Sequence, residues 1–246
     1  MDGNYVRQYR ELYKKHWWWR AREEMLVDEL ERRLPTGTCK SILDIGCGDG
    51  LFFDRLQRFG EVEGIEPSQD HFDPSGPHRL KITVAPFDAG FKSTKQYDLI
   101  LMLDVLEHLS APEEAIRHSL SLLKMNGLLL VTVPAFHLLW TNHDDLNQHR
   151  ARFTKTSFKR LAACAGLEIV AMRYFFAWLF LAKLLARICE AVVHRKAEIP
   201  KIPGDRVNDF LYRLSRAENE CTRHLTIPFG SSLLVVGRPQ FAKPQD

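Results

Sequence analysis

Cysteine is scarce in this chain, and the little there is excludes a good deal. The five, Cys39, Cys47, Cys164, Cys189 and Cys221, are odd in number and scattered, with no pair at the close spacing of a zinc or dithiol redox motif. No disulfide framework follows, and a reducing compartment is expected. Long apolar runs are missing as well. The two longest uncharged stretches are Met125 to Asn142, broken by Gly127 and Pro134, and Tyr174 to Ala182, too short to cross a bilayer. The opening MDGNYVRQYREL has no apolar core behind its charges, so it does not read as a secretory signal, and a cytoplasmic protein is expected. Neither sign of charge dominates: 34 Lys and Arg face 31 Asp and Glu, and a net charge of +3 is too small to argue for nucleic acid. Repeats and low-complexity tracts are absent, which removes solenoids.

What remains is ordinary globular usage, 45% apolar and 26% charged over 246 residues, enough for one generous domain. Residues 5 to 34 contain neither Gly nor Pro, and Trp19, Leu26, Leu30 and Leu34 recur near helical spacing, which predicts one or two helices ended by Pro35 and Gly37. From Ser41 short apolar runs alternate with helical ones: SILDIG, LFFDRLQRF, VEGIE, YDLILML, a helix from Ala111 to Lys124, and LLLVTV. That alternation predicts a parallel sheet with helices on both faces. Ser110 and Glu113 are placed to form a capping box, with Gly127 after the helix end. A helix near Thr156 to Ala165, a strand LEIVAM, and a last strand at Ser232 to Gly237 follow, with a helical insert between the last two strands.

The sharpest motif is Asp44-Ile-Gly46-Cys-Gly48-Asp-Gly50, between an apolar strand and a helix expected near Leu51. Glycines there let the backbone turn tightly and approach a ligand, and helix-start N–H groups bind polar atoms. Glu66 lies at the end of the next strand, where a carboxylate accepts from a ribose diol. Together these describe a nucleoside cofactor site. The glycine spacing is GxGxG rather than the GxGxxG of dinucleotide binders, and the chain resembles the class I S-adenosylmethionine-dependent methyltransferases. DIGCGDG matches that family's first motif, EPS its second-strand acidic end, FDAGF the loop after the third strand, and YDLILMLDVLEHL the fourth strand with its trailing loop.

The resemblance implies a doubly wound, mostly parallel, seven-stranded Rossmann-like sheet whose final strand is antiparallel. It divides the chain into an N-terminal helical lid (1–40), a cofactor-binding core (41–173), a helical insert or cap (174–225) and a last core strand and tail (226–246). It implies S-adenosyl-L-methionine as cofactor and S-adenosyl-L-homocysteine as product. Asp44, Gly46 and Gly48 would face the methionine part, Glu66 the ribose and Asp88 the adenine. Asp104 and His108 would lie near the methionine and the methyl group. HWWWRAR matches the opening helix of a bacterial branch of the family. It brings Trp18 and Arg22 (or Arg20) over the cofactor as a lid, although packing alone also explains three tryptophans. Deleting residues 1 to 30 is then expected to abolish cofactor binding and leave the core folded.

After the fifth strand, Trp140-Thr-Asn-His143-Asp144-Asp-Leu-Asn-Gln-His149-Arg150 gathers polar groups where ligands of open parallel sheets bind. His143 is a candidate general base oriented by Asp144, with His149 as the alternative base. The same residues read as a capping and salt-bridge cluster, and Arg150 and Arg152 as partners of acids or of a substrate phosphate. The loose spacing does not assign a metal. In the insert, Tyr174 to Val193 is apolar apart from Lys183, Arg187 and Glu190, so it is a buried cap, a homodimer interface or a helix lying in a membrane surface. The helix near Asp209 to Leu225, with Phe210, Leu214, Ala217 and Cys221 on one face, favours the cap. Membrane contact through 174–193 would make the protein peripheral at the inner membrane surface and the acceptor lipid-like. The expected function is methyl transfer to an oxygen or nitrogen of a small-molecule or lipid-linked acceptor. A nicotinamide-dependent oxidoreductase and a non-catalytic S-adenosylmethionine-binding protein are the alternatives. Nucleic acid is disfavoured, because Asp104-Val-Leu-Glu-His108 stands where amide-proline-proline-aromatic would mark base methylation.

Overall fold

The computed structural model describes residues 3–35, 37, 39–69, 75–192, 200–222, 225 and 227–240. Seven strands form one sheet: β1 (Ser41–Ile45), β2 (Glu61–Glu66), β3 (Ile82–Val84), β4 (Tyr97–Leu103), β5 (Leu123–Pro134), β6 (Leu167–Phe175) and β7 (Ser232–Pro239), in the order β3-β2-β1-β4-β5-β7-β6. The first five are mutually parallel, and β7 runs antiparallel to both β5 and β6. This is the expected doubly wound sheet, its last strand two residues longer than the apolar run shows. Alternate residues feed opposite faces. Leu43, Ile45, Ile100, Met102, Val131 and Val235 join one core, with Ile116 and Phe158 of the covering helices α4 (Pro112–Leu122) and α6 (Lys155–Ala165). Ile42, Leu99, Leu101, Leu130 and Val236 join the other, with Met25, Leu26, Leu30 and Phe53.

The second core corrects the lid expectation. The N-terminal segment forms two helices, α1 (Gly3–Lys15) and α2 (Trp17–Arg33), broken at His16, whose ring accepts from Trp18 N. Met25, Leu26, Val27 and Leu30 of α2 are 1–2% exposed. A helix so buried is a layer of the domain, and its deletion strips one face of the sheet. Removing residues 1 to 30 is therefore expected to unfold the core rather than leave it intact, as loss of a cooperative thermal transition in the truncated chain would show.

Other departures have local causes. The glycine loop leads to only one helical turn, α3 (Phe53–Leu56). α4 begins at Pro112 after an Ala111 N-cap that makes no side-chain bond, so the expected Ser110–Glu113 box does not form. It ends at Leu122 because Leu123 already pairs with Tyr97 as β5 begins. Gly127 lies within β5, where a Cβ would sit 2.8 Å from Tyr97 O, so close backbone approach rather than helix capping requires the glycine. α6 is capped at both ends: Thr154 accepts from Ser157 N, and Gly166 ends the helix at φ +77.

The insert consists of α7 (Ala177–Val192) and α8 (Asp205–Thr222), after α5 (Asn142–Leu146) and α6. Residue 193, the last of the expected membrane-facing stretch, lies outside the described residues. α8 reverses the expected polarity: Asn208, Ser215 and Asn219 are buried, while Phe210 is 64% and Leu214 37% exposed, and Ala217 and Cys221 are exposed. The inward face is polar because the N-terminal helices offer it polar partners. Asn208 accepts from Trp17 N (2.8 Å) and donates to Lys15 O (2.7 Å), bridging the α1–α2 break. Arg216 and Asn219 both donate to Asp28 Oδ2. α7 is held by Glu218, whose carboxylate accepts from Ala177 N and Trp178 N at 2.8 and 2.9 Å. The tryptophans pack as the bland reading has it: Trp17 lies 5.2 Å from Trp178 and 6.2 Å from Phe176 between ring centroids.

Candidate active site

The candidate residues outside α2 and Asp44 lie at or just beyond the carboxyl ends of the parallel strands, and Asp44 is the penultimate residue of β1. Past β1, Gly46 takes φ +73, and a Cβ there would lie 2.6 Å from Val105 Cγ2, so no other residue fits without displacement. Gly46 N donates to Ile65 O (2.8 Å) and Gly48 N to Glu66 Oε2 (2.9 Å), tying the loop to β2. Ser68 N donates to Glu66 Oε1 at 3.3 Å. Glu66 is thus a buried carboxylate fixed by backbone donors, while the Gly48 α-carbon faces open space. Burial pushes the Asp44 carboxyl up to about 7; Arg22 opposes the shift and Glu66 adds to it.

At the end of β4, Asp104 takes the left-handed conformation, φ 58, sparsely populated by non-glycine residues. Its carboxylate meets Arg22 Nη2 at 2.7 Å and accepts from Thr132 Oγ1 at 3.0 Å, and Thr132 in turn accepts from Arg22 at 2.8 Å. The Arg22 guanidinium lies 5.5 Å from the Trp18 ring centroid. The structure therefore brings Trp18, Arg22 and Asp104 together, and places Arg22 within electrostatic reach of Asp44. Asp88 stands apart. It is exposed beyond β3 and accepts from Gly90 N (2.7 Å), serving its own turn.

Beyond β5, Asp144 is fully buried and serves as the N3 residue of a capping box on α5, accepting from Thr141 N at 2.9 Å. Arg152 forks onto it, Nε to Oδ1 at 2.8 Å and Nη2 to Oδ2 at 3.0 Å, and donates its third nitrogen to Ala135 O. His149 Nδ1 lies 2.8 Å from Asp144 Oδ1. Burial would raise the Asp144 pKa, but the bonds from His149 and Arg152 hold it well below the usual carboxylate range. The geometry corrects one detail: Asp144 orients His149, not His143. The histidine that it does not hold, His143, has its pKa pushed below the ordinary imidazole value by desolvation and by the Lys183 charge from α7. Burial pushes Lys183 itself down to about 8, with Arg152 adding to the shift.

Two members of this edge escaped the sequence reading. Thr132 was signalled only by a hydroxyl in the apolar run of β5. Glu107, in the 3-10 turn Leu106–His108, is 1% exposed, and burial followed by the charge of Asp104 raises its pKa well above the usual range. Its backbone O accepts from Arg150 N at 2.7 Å, which brings the loop after β4 against the loop after β5 and sets the His108 and His149 rings 4.9 Å apart.

The methyltransferase-domain family model matches residues 18–172, more than half of the chain. A tRNA U34 carboxymethyltransferase from Desulfotalea psychrophila is 33% identical over 119 residues, 45% of this chain and 37% of that protein. A ubiquinone biosynthesis O-methyltransferase from Pelagibacter ubique is 31% identical over 117 residues, 44% of this chain and 49% of that protein. The chain thus spans less than half the length of these relatives. Among solved structures, the complex of the Haloferax volcanii Trm112 methyltransferase activator with a methyltransferase superposes with TM-score 0.61 at 15% identity, over 98% of this chain and 96% of that one. A Haemonchus contortus phosphoethanolamine N-methyltransferase with S-adenosyl-L-methionine gives 0.57 at 14% identity, over 88% of this chain and 52% of that one. These structural likenesses share the fold. The matched range includes the glycine loop, Glu66 and Asp104, and the chain belongs to the methyltransferase-domain family, within the class I S-adenosylmethionine-dependent methyltransferases.

Proposed function

We propose that the chain transfers the methyl group of S-adenosylmethionine to an oxygen of a small or lipid-linked acceptor seated between the loops after β4 and β5. The observation that carries this reading is the line of carboxylates Asp44, Glu66 and Asp104 beside the His143–His149 cluster on one sheet edge. Glu66 takes the ribose hydroxyls, Asp44 and the glycine loop face the methionine part, and Asp104 and His108 lie beside the methyl group; Asp88, bonded within its own exposed turn, is left out of this set. Arg22 meets the cofactor carboxylate, with Trp18 as its support; α1, whose Arg10 pairs with Asp49, is the covering element. The transfer is an in-line displacement: the sulfonium C–S bond breaks as the acceptor oxygen bonds to carbon, and the oxygen's proton passes to His143, neutral at pH 7, or to His149. Two observations support an apolar acceptor: the ubiquinone-pathway relatives, and the exposed Leu181 and Leu185 on α7 with Val207 and Phe210 on α8. No described helix is long and apolar enough to cross a membrane, and the proposed membrane contact is through the exposed side chains of α7 and α8. Phe176, 3% exposed, takes no part in such contact.

Incubation with tritiated-methyl S-adenosylmethionine and three fractions, organic extract, aqueous metabolites and tRNA, tests the acceptor. Label in the organic extract is expected. Label in tRNA alone would overturn the reading.

The state of Asp44 sets a pH dependence. With a pKa near 7 before binding, it is largely protonated at pH 6, and the cationic cofactor favours its ionised form. Affinity for S-adenosylmethionine should therefore rise ~10-fold from pH 6 to pH 8, with proton release seen by calorimetry in buffers of different ionisation enthalpy. Asp44→Asn should bind weakly and without this dependence; a wild-type affinity that is flat across the range would refute the placement of the cation at Asp44.

A further inference from the structure

We propose that Glu107, His108 and His149 form a binding site for one divalent first-row transition ion. One ligand atom from each lies within 4.8 Å of the others. Glu107 supplies the carboxylate. Its side chain is almost wholly buried, yet neither carboxylate oxygen has a hydrogen-bond partner among the described residues, whereas Asp144 nearby is bonded from His149, Arg152 and Thr141. A buried carboxyl group left unpartnered is costly, and a cation between it and two imidazoles removes the cost.

The histidines are prepared for this. Asp144, forked by Arg152, can only accept, so His149 Nδ1 donates their 2.8 Å bond and Nε2 is the ring atom left to meet an ion. A carboxylate behind a histidine in this way is the usual outer support of a metal ligand, fixing both tautomer and ring orientation. The His108 ring stands at 77° to that of His149 with centroids 4.9 Å apart. The bond from Arg150 N to Glu107 O locks the two ligand-bearing loops together without using a ligand atom. Two imidazoles and one carboxylate suit zinc, cobalt, iron or manganese better than magnesium or calcium, and three protein ligands leave a coordination position open. An ion held there would polarise the O–H of an acceptor seated between the loops after β4 and β5. This use rests on the methyl-transfer reading and leaves proton removal to His143; the ion binding itself does not rest on it.

The test is titration of the chelator-stripped full chain with CoCl2, followed by visible absorption and displacement with ZnCl2. One equivalent is expected, with d–d bands, no thiolate charge-transfer band, and loss of the bands on zinc addition. Glu107→Gln and His149→Gln should each weaken cobalt binding ~100-fold or more, while His137→Gln, an exposed histidine, should not. S-adenosylhomocysteine titration of the same variants shows that the core is intact. No cobalt uptake by the wild type, uptake only with a thiolate band, or equal uptake by Glu107→Gln would overturn the proposal. Cobalt binding by a wild type that binds no S-adenosylhomocysteine would count against the cofactor placement and leave the ion site standing.

Discussion

Arg152→Ala should destabilise the protein by about 3–5 kcal/mol at pH 7, because it leaves the buried Asp144 carboxylate without its bidentate partner. The Arg152 and Asp144 side chains are only 4% and 1% exposed, so water does not replace the lost bonds. Ala135 O loses a donor in the same substitution. For a chain of this length the midpoint of thermal unfolding should fall on the order of 10 °C. The sign of the pH effect follows from which state holds the proton. Arg152 helps keep Asp144 ionised, whereas the carboxyl of the variant, left with His149 and Thr141, takes up a proton more readily on acidification, so the gap between variant and wild type should narrow as pH falls toward 4. Arg152→Lys, which keeps charge but not the fork, should recover only part of the loss. Equal melting of Arg152→Ala and wild type would show that the α5 cap, not the ion pair, holds this loop.

Glu66→Ala should weaken S-adenosylmethionine binding by ~100-fold or more, the worth of two hydrogen bonds to a charged acceptor at roughly 1.5–3 kcal/mol each. The carboxylate is preorganised by Gly48 N and Ser68 N, so a ribose diol bound there as proposed would meet an acceptor that needs no reordering. Glu66→Gln should retain more binding than Glu66→Ala, because it keeps one acceptor oxygen. Retained secondary structure with lost affinity would separate this effect from unfolding, and an unchanged dissociation constant in Glu66→Ala would remove Glu66 from the cofactor site.

The sheet was legible because its signals are local and redundant. The apolar runs of β1 and β4, Asp44 through Gly50, and Glu66 each name a strand end, and the alternation of strand and helix supplies the order. The structure adds what arises only when distant segments meet. Glu107 and Arg150 are 43 positions apart in the chain, and no spacing rule joins them; the shared edge of β4 and β5 does. Asp144 faces His149 because the single turn of α5 points its carboxylate inward as its own cap, a direction that the adjacency of His143 does not reveal. The polarity of α8 was misread for a related reason. A stripe of Phe210, Leu214, Ala217 and Cys221 resembles a buried face, but the helices that α8 packs on present Trp17 N and Lys15 O at the α1–α2 break and Asp28 within α2, which Asn208 and Asn219 satisfy from the opposite face. Likewise α2 is built into the second core by Met25, Leu26 and Leu30, a role that its charged and aromatic opening conceals.

The most direct test of this account is calorimetric titration of the purified chain with S-adenosylmethionine, S-adenosylhomocysteine and, in parallel, oxidised and reduced nicotinamide dinucleotide. One-to-one binding of both adenosyl ligands and none of either dinucleotide is the result the carboxylate-lined edge predicts. A folded chain that binds neither adenosyl ligand, or that takes a nicotinamide dinucleotide in their place, would contradict it.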